Sequence, residues 1–432
     1  MPKANNVPNK RRAKDDPVVS RRLKKGKFTL NDVPIVKENK EGVVLVTGAG
    51  DVGQLGLGSD VLEKTRFGLV KIDDEIIDVY AGGMHTVCLT KDGKVITFGC
   101  NDEGALGRPT DKADSEFEPG VVDLPGKVKQ ITAGDSHTAA LLEDGKVYAW
   151  GTFRDSHGSM GLTPTGNEKL PYLIMSEHVI IKIASGSDHI VFLTNHGEVF
   201  TCGCAEQGQL GRLPERSSGR NARSGIGKDQ IAKLLVPHII NLKPHLKLHF
   251  EDIWAGHYAT FAKVADKNDV YSFGLNNYHQ IGAQPNVQYN PTKSEVFSKY
   301  KWLSICCGQH HTIALDVDGQ VYTIGRKEYG RLGLGENCEE SIELVKIPSI
   351  KDKVICIGTG SATSFAVTEK GDLYGWGMGN NGQLGTGKED DSFAPILIEG
   401  KQLVDKKVYR VNGGGQHTVI LALSNINNNK TE

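Results

Sequence analysis

Asp135 and His310 are among the residues of this sequence whose types could move a proton or grip a partner. Both stand within two residues of a histidine in a recurring Gly-x-x-His phrase, Gly134-Asp135-Ser136-His137 and Gly308-Gln309-His310-His311. Asp188, in Gly186-Ser187-Asp188-His189, and His257, in Gly256-His257-Tyr258, occupy the same stretch of other copies. A carboxylate and an imidazole are the raw material of general acid–base catalysis. The sequence gives such a pair little to work with. Its eight cysteines form no CxxC pair and no regular Cys/His spacing for a metal, and no nucleophile or cofactor motif accompanies them. Gly48-Ala49-Gly50-Asp51-Val52-Gly53 does match the dinucleotide fingerprint, but that motif must open a helix. Here Gln54-Leu55-Gly56-Leu57-Gly58 follows, as in the other copies. No metal and no cofactor are expected, and an acid–base enzyme is the remote reading. Recognition is the chemistry left to these residues.

A repeat must position them. A strand ending in glycine, a short polar run and a closing glycine recur at Gly48–Gly56, Gly99–Gly107, Gly203–Gly211, Gly274–Gly282, Gly325–Gly333 and Gly377–Gly385. A seventh copy, Gly151–Gly161, is two residues longer. The opening glycines are 51, 52, 52, 71, 51 and 52 residues apart. A period near 50 marks a stacked repeat architecture. Each unit reads as a strand, Gly-x-x-His, a second strand, a Gly turn such as Asp144-Gly145, a third strand, the glycine-bounded loop and a short fourth strand. Four short strands cannot bury both faces alone, so the expectation is all-β, a seven-bladed β-propeller over 43–423. Val43–Val46 lacks the half-unit before it, and 414–423 supplies that half-unit. The N- and C-terminal strands should therefore close one blade together.

Comparing copies separates structure from site. His85, His137, His189, His311 and His417 share one position and are read as structural. Asp135, Asp188, His257 and His310 break the pattern beside it. His279 replaces the glycine found at Gly53, Gly104, Gly158, Gly208, Gly330 and Gly382. The longer third loop, Thr152-Phe153-Arg154-Asp155-Ser156-His157, could project as a wedge. The fourth inter-blade segment, 211–237, is about twenty residues longer and reads as a basic loop carrying Arg212, Arg216, Arg220 and Arg223. Such a loop suits an acidic protein patch or phosphate.

The net charge of −1 hides an asymmetry. Residues 1–27 hold ten Lys/Arg against Asp15 and Asp16, a net of +8, which leaves −9 for the remainder. Residues 1–42 read as a disordered basic tail and 424–432 as a flexible C-terminus. Lys10-Arg11-Arg12 and Lys24-Lys25-Gly26-Lys27, with Arg21 and Arg22 between, have the spacing of a bipartite nuclear import signal and could also meet DNA phosphates. No apolar run is long enough to cross a membrane as a helix.

GDVGQLGLG (50–58), AGGMHTVCL (81–89), FGCNDEGALGR (98–108), AGDSHTAAL (133–141) and GQHHT (308–312) resemble the repeats of the regulator of chromosome condensation family. The family is named for the chromatin-bound exchange factor of the small GTPase Ran. The resemblance runs from about Val43 to Leu423 and implies a propeller that grips a Ran-type GTPase on one face, the wedge pressing near its phosphate site. It implies GTPase contacts at Asp51, Asp135, Asp188, His279, His310 and His417, with Asp135 and His310 most tied to turnover. The wedge adds Phe153, Arg154 and Asp155, and His257 is added from the copy comparison alone. Arg216, Arg220 and Arg223 would meet the histone acidic patch. Lys10, Arg11, Arg12, Arg21, Arg22, Lys24 and Lys25 would meet DNA and a nuclear import receptor. Thr163 stands where the family has an acidic residue. The expected protein is a nuclear, chromatin-bound, monomeric exchange factor without covalent chemistry. The alternative is a chromatin-binding scaffold that exchanges nothing.

Overall fold

The second strand of each unit is apolar or hydroxyl-bearing along its whole length. In His85–Thr90, His137–Leu142 and His189–Thr194 all six residues are buried. A strand without a polar face must lie between two sheets, and the architecture supplies them. The structure is a computed structural model describing residues 28–30, 42–218, 227–243, 245–284 and 286–424. It forms seven four-stranded antiparallel sheets arranged as a β-propeller. Blade 1 runs Ile76–Ala81, His85–Thr90, Val95–Gly99 and Gly120–Val122. Blades 2 to 6 follow from Val128, Ile180, Phe250, Trp302 and Val354. Blade 7 is built from Lys406–Gly413 and His417–Ser424 with Val43–Ala49 and Glu63–Leu69, in register Leu45↔Ile420 and Thr47↔Thr418. Both termini close the ring in one blade, as their complementary half-units predict.

Seven apolar clusters hold the disc, each joining two neighbouring blades. The repeated histidines bolt the same seams. His85 Nε2 meets Thr138 Oγ1 of the next blade at 2.9 Å, His189 meets Thr260 at 2.9 Å, His311 meets Ser364 at 2.8 Å, and His417 meets Thr86 at 2.9 Å. His137 reaches Ser185 Oγ at 3.1 Å. The hydroxyl on the receiving side donates to the preceding blade's loop, as Thr138 does to the Ala105 carbonyl. Burial holds the ring of His85 near a pKa of about 4 and those of His189 and His417 near about 3. All three are neutral at physiological pH.

The opening glycine of each loop has a direct cause. Gly99 adopts φ +117°, and a Cβ there would stand 2.6 Å from the Met84 carbonyl oxygen. The third strand passes the Gly-x-x-His turn too closely for any side chain, and the sequence must return to glycine at every blade.

Two insertions depart from the repeat. Phe153–Asp155 and Gly158–Gly161 form a two-stranded hairpin on blade 2, the wedge. The fourth inter-blade segment is not a plain loop. Glu215–Ser218 and Gly227–Leu235 are helical, and Ile231, Leu234 and Leu235 bury one face of the longer helix against the seam of blades 2 and 3. Within the segment assigned to the tail, Phe28–Leu30 lies on the propeller. Leu30 N–H donates to the Asn195 carbonyl at 2.8 Å, and the Phe28 ring stacks on His249 at 4.4 Å.

Candidate functional site

The turns that end the innermost strands are stitched into a closed ring by seven backbone hydrogen bonds, one across each seam. Gly83 donates to Gly134, Asp135 to Ser187, Ser187 to His257, His257 to Cys307, Gln309 to Ser361, Ser361 to Gly414, and Gly415 to Gly83. The ring fixes the backbone at Asp135 and His257 and next to Asp188 and His310, so those side chains are presented from a rigid collar. Its mouth encloses a cavity of about 70 Å³. Small-molecule sites run to roughly 300–1,000 Å³, so the surrounding surface is the candidate contact.

Asp135 is exposed on the collar, and Asp188 and His257 are half-buried beside it. Burial first, and the Asp135 charge second, push the Asp188 carboxyl up to about 8. His257 is pushed down by burial against the opposing pull of Asp135, and its Nε2 contacts Ser361 Oγ at 3.2 Å. His310 is half-buried, edge-on to Tyr278 at 5.2 Å, and held at about 4 by burial and by Arg331 and Arg326. The imidazoles are thus neutral and do not cancel the charge of Asp135. The Ser187 hydroxyl, between Asp135 and His257 on the collar, makes no hydrogen bond among the described residues.

The wedge stands beside this acidic sector. Arg154 N–H donates to Asp188 Oδ1 at 2.7 Å, joining the hairpin to the collar. Asp155 accepts the His157 N–H at 3.0 Å inside the hairpin turn, with its carboxylate buried. Asp155, His157 and Glu206 lie close enough to suggest a cation site. Both Glu206 oxygens already serve Ser156, however.

His279 takes φ +60°, the left-handed conformation its glycine counterparts adopt, with Gly53 at +83° and Gly208 at +77°. A side chain is kept there at the cost of backbone strain. Its neighbour Tyr278 packs on His310 and under Arg326, 4.9 Å from ring centroid to guanidinium. Asp51 is exposed on the blade 7 loop and accepts Gln54 Nε2 at 3.2 Å.

Several expectations change. Phe153 is fully buried, edge-on to His137 at 4.8 Å, so it anchors the wedge in the core and cannot meet a partner. His417 is 1% exposed and bolted to Thr86, so its ring belongs to the seam of blades 7 and 1. Arg212 is spent on structure. Its guanidinium donates to the carbonyls of Lys233, Leu234 and Val236 and caps the helix C-terminus. Thr163 donates to Glu168 Oε1 at 2.8 Å, so that turn still holds a carboxylate. Arg216 is exposed on the short helix. Arg220, Arg223, Lys10, Arg11, Arg12, Arg21, Arg22, Lys24 and Lys25 lie outside the described residues.

Glu103 and Glu206 escaped the sequence reading. They sit in ordinary-looking polar loops, and their partners lie about fifty residues away in the chain.

A family profile described as the RCC1-like domain matches residues 43–420. The regulator of chromosome condensation of Xenopus laevis is 48% identical over 400 residues, covering 90% of this chain and 92% of its own. The guanine nucleotide exchange factor SRM1 of Saccharomyces cerevisiae is 30% identical over 434 residues, covering 86% and 85%. The crystal structure of Prp20p from Saccharomyces cerevisiae, described with its binding properties to Gsp1p and histones, superposes with a TM-score of 0.81 at 29% identity. That match covers 90% of this chain and 92% of Prp20p.

Proposed function

This chain belongs to the regulator of chromosome condensation family, and on that premise we propose that it is a guanine-nucleotide exchange factor for a Ran-type GTPase acting at chromatin. The observation that carries the reading is the convergence of Asp135, Asp188, His257 and His310 on one rigid collar, with a hairpin hydrogen-bonded to it at Asp188. A scaffold would need neither. The reaction is reciprocal coupling. The collar and wedge bind the nucleotide-free GTPase more tightly than the loaded one, and nucleotide affinity must fall by the same factor. Asp135 would hold a basic group of the GTPase, and neutral His310 would take a hydrogen bond. The wedge would disturb the phosphate site. No bond in the nucleotide is made or broken.

Arg216, with Arg220 and Arg223, suits the carboxylates of the histone acidic patch. The +8 tail suits DNA phosphate, a contact that weakens as salt rises, and its two clusters suit a nuclear import receptor. A nuclear monomer follows from this reading.

The test is release of fluorescent GDP from Ran. Asp135→Ala and His310→Ala, in protein of unchanged thermal stability, are expected to lower the maximal rate at least tenfold, since each removes an interaction made more strongly with the nucleotide-free GTPase than with the loaded one. Wild-type rates in both variants would refute the assignment. No acceleration by the wild type, with nucleosome binding intact, would leave the scaffold.

Asp188 gives a second expectation. Asp135, Asp155, Arg154, Tyr258 and Cys204 are the titratable groups around it. Its carboxyl is mostly protonated at pH 7, and a basic GTPase side chain docking there would expel that proton. Affinity for the nucleotide-free GTPase should rise from pH 6 to pH 8 and level off above. Titration calorimetry in buffers of different ionisation heat should show proton release. Asp188→Asn should abolish both effects, and an unchanged profile in that variant would sink the idea.

A further inference from the structure

The wedge is clamped from both sides by carboxylates of the neighbouring blades. On the blade 1 side, Glu103 Oε1 accepts Arg154 Nη1 at 2.8 Å, and its Oε2 accepts Asn167 Nδ2 at 2.5 Å, just past the hairpin. Asn167 passes the tie inward, because its Oδ1 accepts Ser159 Oγ at 3.0 Å and Ser159 meets Thr152 Oγ1 at 2.9 Å. On the blade 3 side, Glu206 takes both polar hydrogens of Ser156 at the hairpin tip, N–H to Oε2 at 2.9 Å and O–H to Oε1 at 2.8 Å. Its own carbonyl accepts the Tyr289 hydroxyl of blade 4 at 3.3 Å. Both carboxylates are largely withdrawn from water, with side chains 28% and 18% exposed.

A two-stranded hairpin is marginal by itself in water. Its strands here are three and four residues long. Phe153 roots one end in the core, but Arg154, Ser156, His157 and Ser159 are exposed, so packing does not hold the tip. Polar ties to rigid neighbours must do so. The two acids are also placed so that the hairpin cannot lean one way without breaking the tie on the other side.

We infer that Glu103 and Glu206 are positioning residues that pre-organise the wedge for nucleotide release. This rests on the proposed exchange activity. They do not touch the nucleotide. They set where the hairpin stands when the GTPase arrives, so that none of the binding free energy is spent on ordering it. The wedge acts with Asp135 and His310 to favour the nucleotide-free GTPase over the loaded one, whereas the wider propeller face docks both. Loosening the wedge therefore acts on the turnover step more than on docking, because a misplacement of about 1 Å can cost on the order of 100-fold in rate.

Steady-state release of fluorescent GDP from Ran separates the two. Glu206→Ala is expected to lower kcat about tenfold with KM changed less than twofold, and Glu103→Ala/Glu206→Ala to lower kcat 30-fold or more. Glu206→Gln, which keeps one acceptor, should fall between Glu206→Ala and wild type. Amide exchange over 152–161 should quicken in the alanine variants while the buried strand 137–142 stays protected. Unchanged kcat, or a loss confined to KM, overturns the brace. If the wild type itself accelerates no release, the exchange reading fails. Amide exchange over 152–161 then still decides the brace, and unaltered protection in the double variant refutes it.

Discussion

Lowering the pH from 7 to 5 is expected to destabilise this propeller steeply, with an uptake of at least three protons on unfolding. Five seam histidines are held neutral by burial: His85, His137, His189, His311 and His417. In the unfolded chain each titrates near 6.5. Their folded pKa values are depressed, so the stability they carry is complete above about pH 6.5. It drains away as the pH falls toward their folded values, because the unfolded state gains protons the folded state refuses. Two acids oppose this. Asp188, pushed up to about 8, holds a proton in the folded state that the unfolded state has lost, and Asp78, pushed up by burial against the pull of Arg410, acts in the same direction. Even with both acids counted in full, five against two leaves at least three protons, or about 4 kcal/mol per pH unit or more. His257 and His310 are also pushed down and act in the same direction as the five. A typical stability of about 5–15 kcal/mol lasts about one to four units of such a slope. Urea midpoints at pH 7.5, 6.5, 5.5 and 5.0 measure it. A pH-independent midpoint would mean that the seam histidines are charged or hydrated in the folded state. Replacing one of them by a non-titrating residue, in a variant that still folds, should flatten the slope by about one proton.

The same histidines show why the fold was legible and the site only partly so. Gly99 and its six counterparts answer a constraint that recurs in every blade, and the Gly-x-x-His bolts one that recurs at five of the seven seams, so the chain repeats them and the repeat can be counted. A site is what the repeat does not require. Asp135, Asp188, His257 and His310 were visible as departures at a shared position, and the collar does bring those turns together. His279 was visible because a glycine was missing, and φ +60° shows what that substitution strains. Burial within insertions was not legible. Phe153 sits in a loop with no periodicity to announce that it points inward, and Arg212 looks like a surface cation until the helix carbonyls it caps are in place. That helix, Gly227–Leu235, has too few turns to display a period. Phe28 and Leu30 were masked by the basic run around them. Glu103 and Glu206 gain meaning only from Arg154, Asn167 and Ser156, which the propeller carries to them across two seams.

Because blade 2 alone departs from the common loop length, its hairpin offers the sharpest separation of exchange from everything else the propeller does. Replacing Arg154–Ser159 by Asn-Gly, the dipeptide suited to a two-residue hairpin turn, would remove the tip and both carboxylate ties. Phe153 would stay in its core site against His137. No apolar side chain buried in the seam is deleted, so thermal stability should change little. Asp188 would lose the Arg154 N–H but remain on a collar that the seven backbone bonds hold independently of the wedge. Docking of loaded GTPase should then survive within a few-fold, and the proposed binding to nucleosomes through the basic segments should be unaltered. The maximal rate of GDP release should fall by 100-fold or more, the scale expected when a positioned element is lost from the turnover step. A truncated protein that still releases nucleotide within threefold of wild type would show that the collar alone drives exchange. The wedge would then be an ornament of blade 2, and Asp135 and His310 would have to account for the whole of the coupling.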